Sequence, residues 1–263
     1  KLTLGNFANT GTLSNVESIV GAAGVDAVTL ATAVVNGSID LMGGADKLTL
    51  GDFVNSATLS NIETVTGGSG NDTLTLGAAA IKGSLDLGAG SDKLTLGNFA
   101  NTATISNVET LVGGTGTDTI TLRTAVGATD SINLGAGADT LTLGNFANAG
   151  TISGVETLIG GTDADTITIG TQLSRADIDL GAGTDSITLG NVVNNATLTN
   201  VESILGGSQA DTITLGSAIT TNHSIDLGVG ADKLTLATGT NTGTLSNVET
   251  VVGASGADTI TLA

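Results

Sequence analysis

The chain has 263 residues, of which 40 are glycine and none is proline, cysteine, tryptophan or tyrosine, and its formal net charge is −18. The absence of cysteine excludes disulfide bonds, thiolate catalysis and cysteine-type zinc sites. Seven Lys and Arg against 25 Asp and Glu argue against nucleic acid and anionic membrane surfaces, which bind clustered basic residues. The sequence has no apolar run long enough for membrane insertion. Cations are therefore the expected partners.

The chain begins with "KLTLGNF" and ends with "ADTITLA", both in the middle of a repeating pattern. Because neither a signal peptide nor a capping repeat is recognisable, we expect residues 1–263 to be a single continuous repeat array from a longer protein. The six glutamates recur at steps of 46 or 47 residues; they are Glu17, Glu63, Glu109, Glu156, Glu202 and Glu249. The four phenylalanines also share one repeat position. A residue type confined to one position of a repeat indicates one structural requirement.

Each repeat contains a second, shorter internal repeat, since "GSGNDTLTLG" is followed 20 residues later by the similar segment "GAGSDKLTLG". Alternation of Thr and Leu predicts β-strands, with Leu74 and Leu76 on one face and Thr73 and Thr75 on the other. We interpret each step between loop aspartates as one coil, alternately short (about 20 residues, two strands) and long (about 26 residues, three strands). The predicted fold is all-β, a right-handed parallel β-solenoid of about eleven coils with a thin aliphatic core.

The segments "GGSGNDTLT" (67–75) and "GGTGTDTIT" (113–121) resemble the nonapeptide of repeats-in-toxin (RTX) proteins, Gly-Gly-x-Gly-x-Asp-x-apolar-x. Other copies depart from it: Asp163 and Gln209 replace the third glycine, and loops such as "LGAGSDKLT" carry Leu in place of the first. The phrase "SNVETLVGGTGTDTITL" is similar to repeats of large secreted bacterial surface and surface-layer proteins. The resemblance implies an extracellular location at the bacterial cell surface, calcium binding in the loops and type I secretion.

The loop chemistry agrees with calcium, which takes about six to eight hard oxygen ligands in flexible geometry. Glycine-rich loops can turn backbone carbonyls inward, and each loop adds one carboxylate. The candidate carboxylate ligands are Asp26, Asp46, Asp72, Asp92, Asp118, Asp139, Asp165, Asp185, Asp211, Asp232 and Asp258. The candidate loop glycines are Gly68, Gly70, Gly88, Gly90, Gly114, Gly116, Gly135 and Gly137.

The alternative is that these aspartates only cap turns by accepting backbone N–H groups. Stacking favours calcium, because like charges directly opposite each other destabilise a sheet unless a cation lies between them. Loops with Asp163 or Gln209 are expected to alter or lose their ions. The loops with Leu for Gly are expected to bind more weakly or through other carbonyls.

Further polar residues recur outside the loops. Asp40, Asp86, Asp179 and Asp226, with Asn133 in the remaining copy, could be supplementary ligands or partners of Lys47, Lys93 or Lys233. The glutamates could bind a second row of ions, but we favour corner residues that are solvated or accept backbone N–H groups. Asn15, Asn61, Asn107, Asn200 and Asn247 are expected to form an amide ladder at a turn. His223 occurs once and is interpreted as incidental.

The near-identity of the repeats argues against an enzyme, because catalysis needs a site that differs from its surroundings and the sequence shows none. We expect a structural, calcium-binding segment that folds on calcium, as part of a surface layer, fibre or adhesin stalk. Its further partners would be neighbouring copies of itself or cell-surface polysaccharide. The alternative is an ice-binding solenoid with a Thr-x-Thr face, which Lys47, Lys93 and Lys233 would interrupt.

Overall fold

A computed structural model describes all residues from Lys1 to Ala263, and it contains 29 β-strands and no helix. It therefore has no helix that could cross a membrane. The residues fall into two compact units. Unit 1 comprises Lys1–Thr124 and Ile132–Gly137, and unit 2 comprises Ala125–Ser131 and Ala138–Ala263.

Within unit 1 the strands alternate between two parallel sheets, so that odd-numbered strands neighbour odd-numbered strands and even-numbered strands neighbour even-numbered ones. The odd strands are β1 (Leu2–Thr3), β3 (Ser18–Ala22), β5 (Gly37–Met42), β7 (Ser56–Ser60), β9 (Thr73–Leu76), β11 (Lys93–Thr95), β13 (Thr110–Gly114) and, apart from its first residue, β15 (Ser131–Gly135). The even strands are β2 (Thr10–Leu13), β4 (Ala27–Leu30), β6 (Lys47–Thr49), β8 (Thr64–Gly68), β10 (Ile81–Gly88), β12 (Thr102–Ser106) and β14 (Thr119–Leu122).

Unit 2 has the same alternation. Its even strands are β16 (Thr140–Thr142), β18 (Thr157–Gly161), β20 (Ser174–Gly181), β22 (Asn195–Thr199), β24 (Thr212–Leu215), β26 (Lys233–Thr235) and β28 (Thr250–Val252). Its odd strands are β17 (Ala149–Ser153), β19 (Thr166–Ile169), β21 (Ser186–Thr188), β23 (Ser203–Gly207), β25 (Ser224–Gly228), β27 (Thr242–Ser246) and β29 (Thr259–Leu262).

The alternation of Leu and Thr sets the register of these strands. Leu94 is aligned with Leu74 on one side and with Leu111 on the other, and all three side chains are fully or almost fully buried. A slip of one residue would turn every leucine of a strand to solvent, so the pattern holds the register firmly. Each sheet buries its apolar face, which gives an aliphatic core of Leu, Ile, Val and Ala.

The coils differ from those predicted. Each coil contains two strands, and residues stacked in neighbouring coils lie 17, 20, 21 or 22 residues apart. The predicted long coil of about 26 residues is wrong, because its third strand, β13 in "DKLTLGNFANTATISNVETLVGG", is already the first strand of the next coil. The all-β parallel solenoid is confirmed, but it has a few more coils than eleven. Its handedness stays a prediction.

The phenylalanines lie outside the core. Phe7 is 77% exposed and Phe99 37% exposed. The ring of Phe99 lies over Gly97 of its own loop, where an added Cβ would be 3.0 Å from the ring, and Gly97 has a positive φ of 75°. The phenylalanine position therefore belongs to a surface loop that only glycine at its start can accommodate.

Candidate functional site

The loop aspartates predicted as ligands each stand immediately before a strand, and all but the last are at most 1% exposed. These buried residues are Asp26, Asp46, Asp72, Asp92, Asp118, Asp139, Asp165, Asp185, Asp211 and Asp232. Asp258, near the end of the chain, is exposed. Burial of charged carboxylates is costly unless they are paired or bind a metal, so their surroundings decide what the loops can do.

Polar residues follow one another on successive coils in the order Asn, Asp, Asp, Glu, with both aspartates buried, and we call such a set a tier. In one tier the N–H of Asn55 donates to Oδ1 of Asp72 (2.9 Å), the N–H of Asp72 to Oδ1 of Asp92 (2.7 Å), and the N–H of Asp92 to Oε2 of Glu109 (2.6 Å). Each side chain therefore accepts the backbone N–H of the coil before it.

Three further tiers repeat these bonds, and with the first they form the four complete tiers. They are Asn9–Asp26–Asp46–Glu63, Asn148–Asp165–Asp185–Glu202 and Asn194–Asp211–Asp232–Glu249. The bonds from Asn101 to Asp118, from Asp139 to Glu156 and from Asn241 to Asp258 continue the pattern. Acceptance of a backbone N–H by the glutamate confirms the interpretation that we favoured for this residue.

The tiers alternate between the two edges of the solenoid. Within unit 1, Asp26 and Asp46 precede strands of the even sheet, β4 and β6, whereas Asp72 and Asp92 precede strands of the odd sheet, β9 and β11. A repeat of 46 residues contains one coil of 20 residues, one of 17 and half of another. The aspartates therefore form short groups on alternating edges, and the glutamates of successive repeats do not stack on one another.

Each aspartate of the complete tiers has one carboxylate oxygen without a hydrogen-bond partner. Oδ1 of Asp72 accepts two hydrogen bonds from Asn55, from its N–H and from its Nδ2 (both 2.9 Å), whereas the buried Oδ2 accepts none. The same is true of Oδ2 in Asp26, Asp46, Asp92, Asp165, Asp185, Asp211 and Asp232. A buried acceptor left unsatisfied costs about 1–3 kcal/mol, and more when it is charged. These loops therefore need a positive group.

The predicted loop glycines stack over carbonyl groups of the coil before them. A Cβ on Gly68 or Gly70 would collide with the carbonyl oxygen of Gly51 or Phe53, and one on Gly88 with that of Gly68. A Cβ on Gly90 would lie 2.9 Å from the Gly70 oxygen and 3.1 Å from Oδ1 of Asp92. Gly114, Gly116 and Gly135 lie over the carbonyls of Gly97, Phe99 and Gly114, and Gly137 has a φ of 159°. Carbonyl oxygens and carboxylates thus share the space between successive loops.

The two loops in which another residue replaces the third glycine keep this arrangement. Asp163 and Gln209 replace the third glycine, yet their carbonyl oxygens lie 2.8 Å from the Cβ positions of Gly183 and Gly230. The Gly70 carbonyl has almost the same distance to the Cβ position of Gly90. The side chains at these positions therefore leave the backbone donor where it is in the regular loops.

The electrostatics of the tiers follow from burial and like charges. The pKa of Asp92 is raised to about 6, first by burial and then by the neighbouring carboxylates of Asp72 and Glu109, although the hydrogen bond from the Asp72 N–H lowers it. Burial, helped by Asp165 and Glu202, likewise raises the pKa of Asp185 to about 6. The pKa values of Asp46, Asp72 and Asp232 are also raised, first by burial. Without a cation, these carboxylates therefore keep their protons to a higher pH than a solvent-exposed aspartate does.

Acidification should therefore refold protein that has been stripped of metal on a chelating resin. The folded state binds more protons than the unfolded state between the ordinary pKa of 3.8 and the raised value of about 6, so this contribution to stability is full below the lower value and lost as pH rises through the upper one. We expect the β-sheet circular dichroism of stripped protein to increase from pH 7.5 to pH 5. Greater ion-free stability at pH 7.5 would contradict these pKa shifts. Calcium-loaded protein is the control, in which protons compete with the metal.

The other recurring polar residues pair with one another. Nδ2 of Asn61 donates to Oδ1 of Asp40 (2.7 Å), and Nδ2 of Asn107 donates to Oδ1 of Asp86 (2.7 Å). The pairs Asn200–Asp179 and Asn247–Asp226 repeat this bond, and Oδ1 of Asn133 accepts the Gly135 N–H. The predicted amide ladder and the predicted lysine partners are therefore wrong. These asparagines occupy a left-handed turn, with φ of 53–54°, a conformation that asparagine tolerates.

His223 is not isolated, because its Nε2 lies 3.8 Å from Oε1 of Glu202. Its Nδ1 accepts the Thr220 N–H at 3.0 Å. The ring therefore supports a local turn beside one tier.

The sequence interpretation missed the asparagine that begins each tier. Asn9, Asn55, Asn101, Asn148, Asn194 and Asn241 stand 17 residues before a loop aspartate in all six repeats. That constant spacing was the available signal. It equals one coil, but it becomes informative only once the coil length is known.

Calcium fits this donor set. The loops offer buried carboxylate oxygens without partners and backbone carbonyls that face the next loop, and hard oxygen ligands of both kinds are those that calcium prefers. No group of three or more His, Cys, Asp or Glu side chains is placed to hold a metal. Backbone carbonyls must then supply a large share of any coordination sphere here.

Comparison with known proteins identifies the loops. Residues 59–80, 106–122, 127–148 and 151–168 match the family model of the RTX calcium-binding nonapeptide repeat, in four copies. These segments include Asp72, Asp118, Asp139 and Asp165. No curated protein and no solved structure gave a match.

Proposed function

Because the chain carries four RTX calcium-binding nonapeptide repeats in a parallel β-solenoid, we propose that it is a structural, calcium-stabilised segment of an exported bacterial surface protein. RTX nonapeptide repeats bind calcium and occur in secreted proteins. The observation that carries the proposal is the buried Oδ2 atom without a partner in both aspartates of every complete tier.

The residues that would hold calcium in one tier are Asp72 and Asp92, with backbone carbonyls such as those of Gly68 and Gly70 in the glycine loop between them. Bound calcium supplies positive charge that lets both carboxylates stay ionised in a buried position. The chain's own residues position the ligands. Glycines let successive loops approach each other closely, and backbone N–H groups donate to Oδ1 of each carboxylate and fix its orientation.

The surface role extends this proposal. The net charge of −18 and the regular outer faces of the strands suit a spacer that is held rigid by external calcium and associates with neighbouring copies or with cell-surface polysaccharide. A surface layer, a fibre and an adhesin stalk all require a rigid spacer of this kind. That residues 1–263 form one continuous array stays a prediction.

Calcium binding can be measured directly by isothermal titration calorimetry of metal-stripped protein at pH 7.5. We expect several calcium ions per chain, and much weaker binding of magnesium, since magnesium demands a smaller, near-ideal octahedral site and gives up its water reluctantly. A chain that binds no calcium, or binds magnesium equally well, would contradict the proposal. The same titration at pH 5 should be weaker because protons compete for the carboxylates.

The register of the strands does not support the ice-binding alternative. Lys93 is aligned between Thr73 and Thr110 in the odd sheet of unit 1, and Lys47 is aligned with Thr64 in the even sheet. A long charged side chain thus interrupts one outward row of threonines in each sheet of unit 1. The exposed threonines are explained by the preference of β-branched residues for strands.

A further inference from the structure

The asparagine at the start of each tier makes contacts that resemble those of a small cation. Nδ2 of Asn55 lies 3.3 Å from the Gly51 oxygen, 2.8 Å from the Phe53 oxygen and 2.9 Å from Oδ1 of Asp72. Nδ2 of Asn9 has the equivalent three partners at 2.9, 2.7 and 2.8 Å. Three oxygens therefore surround one amide group that has only two hydrogens to share.

The aspartates occupy the same position one coil further on. Oδ1 of Asn55 accepts the Val34 N–H, as Oδ1 of Asp72 accepts the Asn55 N–H and Oδ1 of Asp92 accepts the Asp72 N–H. Since Oδ1 has the same role in all three residues, Oδ2 of Asp72 is the counterpart of Nδ2 of Asn55. The amide nitrogen has three acceptors, whereas the oxygen that replaces it has no partner.

The surrounding oxygens are also equivalent. Gly51 and Phe53, four and two residues before Asn55, correspond to Gly68 and Gly70 before Asp72. Both pairs of carbonyls lie beneath glycines of the following loop. An aspartate in this environment has no N–H to offer, so a cation has to take the place of the donor. An asparagine supplies the donor itself.

We propose that the asparagine of each tier is a built-in substitute for calcium, which ends the row of ions at the first aspartate. This inference rests on the proposed function and names the residue that limits where the ions bind. The position one coil before the asparagine is apolar and buried, as in Val34, Ala80, Val126, Leu173 and Ile219. Asparagine thus stands, as a neutral polar residue, between the buried apolar residue of the coil before it and the aspartate of the coil after it.

The test is a count of calcium ions per chain by native mass spectrometry at pH 7.5 in saturating calcium. The Asn55→Asp variant should bind one calcium more than the wild type, because its carboxylate replaces the amide among the same oxygens. Asn36→Asp is the matched control: it makes the same change of charge at an exposed turn residue and should leave the count unchanged. An unchanged count in Asn55→Asp, with a wild type that binds calcium, overturns the inference alone.

A second variant keeps the test decisive if Asn55→Asp does not fold. Asp72→Asn should bind one calcium fewer than the wild type, and it should keep more of its β-sheet circular dichroism in excess chelator, since the new amide satisfies the carbonyls of its loop. An unchanged count in Asp72→Asn also overturns the inference. A wild type that binds no calcium overturns the proposed function, and the inference with it.

Discussion

Excess chelator at pH 7.5 is expected to abolish most of the β-sheet circular dichroism signal of the chain, and added calcium should restore it. Each aspartate of the complete tiers then has a buried, charged oxygen without a partner, and the costs add along the stack. Calcium is expected to bind the folded loops and not the dispersed chain, and a single such site at 100 times its Kd would add about 2.7 kcal/mol to stability. Several sites together exceed the stability of a typical domain, about 5–15 kcal/mol.

Magnesium at the same concentration is the control for ionic strength and should not restore the signal. A chain that keeps its full β-signal and melting temperature in excess chelator would mean that the carboxylates are satisfied without metal. The loops would then be ordinary Asx turns, in which the aspartate only accepts backbone N–H groups.

The opposite outcome is expected when the eight aspartates of the four complete tiers are replaced by asparagine. These are Asp26, Asp46, Asp72, Asp92, Asp165, Asp185, Asp211 and Asp232. Each new Nδ2 can donate to carbonyls of its own loop, as Nδ2 of Asn55 does. The variant should keep most of its β-signal in chelator at pH 7.5, bind far less calcium than the wild type, and lose the pH dependence described above.

The matched control replaces the same eight residues by alanine. Alanine removes the same charges but provides no donor, so this variant should stay largely unfolded with or without calcium. If the asparagine and alanine variants behaved alike in chelator, removal of negative charge alone would explain the stability, and the amide would have no special role.

Much of the fold could be predicted because it depends on local patterns. The alternation of Leu74 and Leu76 with Thr73 and Thr75 predicts a strand with one buried face, and the structure buries both leucines. The coil length could not be predicted from the spacing of the aspartates. Steps of 20 residues, as from Asp72 to Asp92, join neighbouring coils, whereas steps of 26 residues, as from Asp92 to Asp118, join opposite edges. Both steps look alike in the sequence.

The site was predicted in part for a similar reason. The loop aspartates stand out as charges that recur in glycine-rich segments, and their burial agrees with a role in binding. Glu109 and Asn55 are not adjacent to Asp72 in the sequence, and only the 17- and 20-residue coils bring Asn55, Asp72, Asp92 and Glu109 into one row. Side-chain amides are also abundant in the chain, so nothing in the sequence marks Asn55 as more important than Asn61 at its turn.

The half-coil offset of the repeat has a consequence for how such a chain can grow. In unit 1, equivalent segments lie alternately in the two sheets, as β4 after Asp26 does in the even sheet and β9 after Asp72 in the odd sheet. Successive repeats are thus related by a twofold screw operation. Duplication or deletion of one repeat within a unit preserves every strand pairing but turns all later side chains through half a revolution. Only changes of two repeats at a time keep the outward faces in phase, so a surface that binds a partner across many coils should vary in length by pairs of repeats.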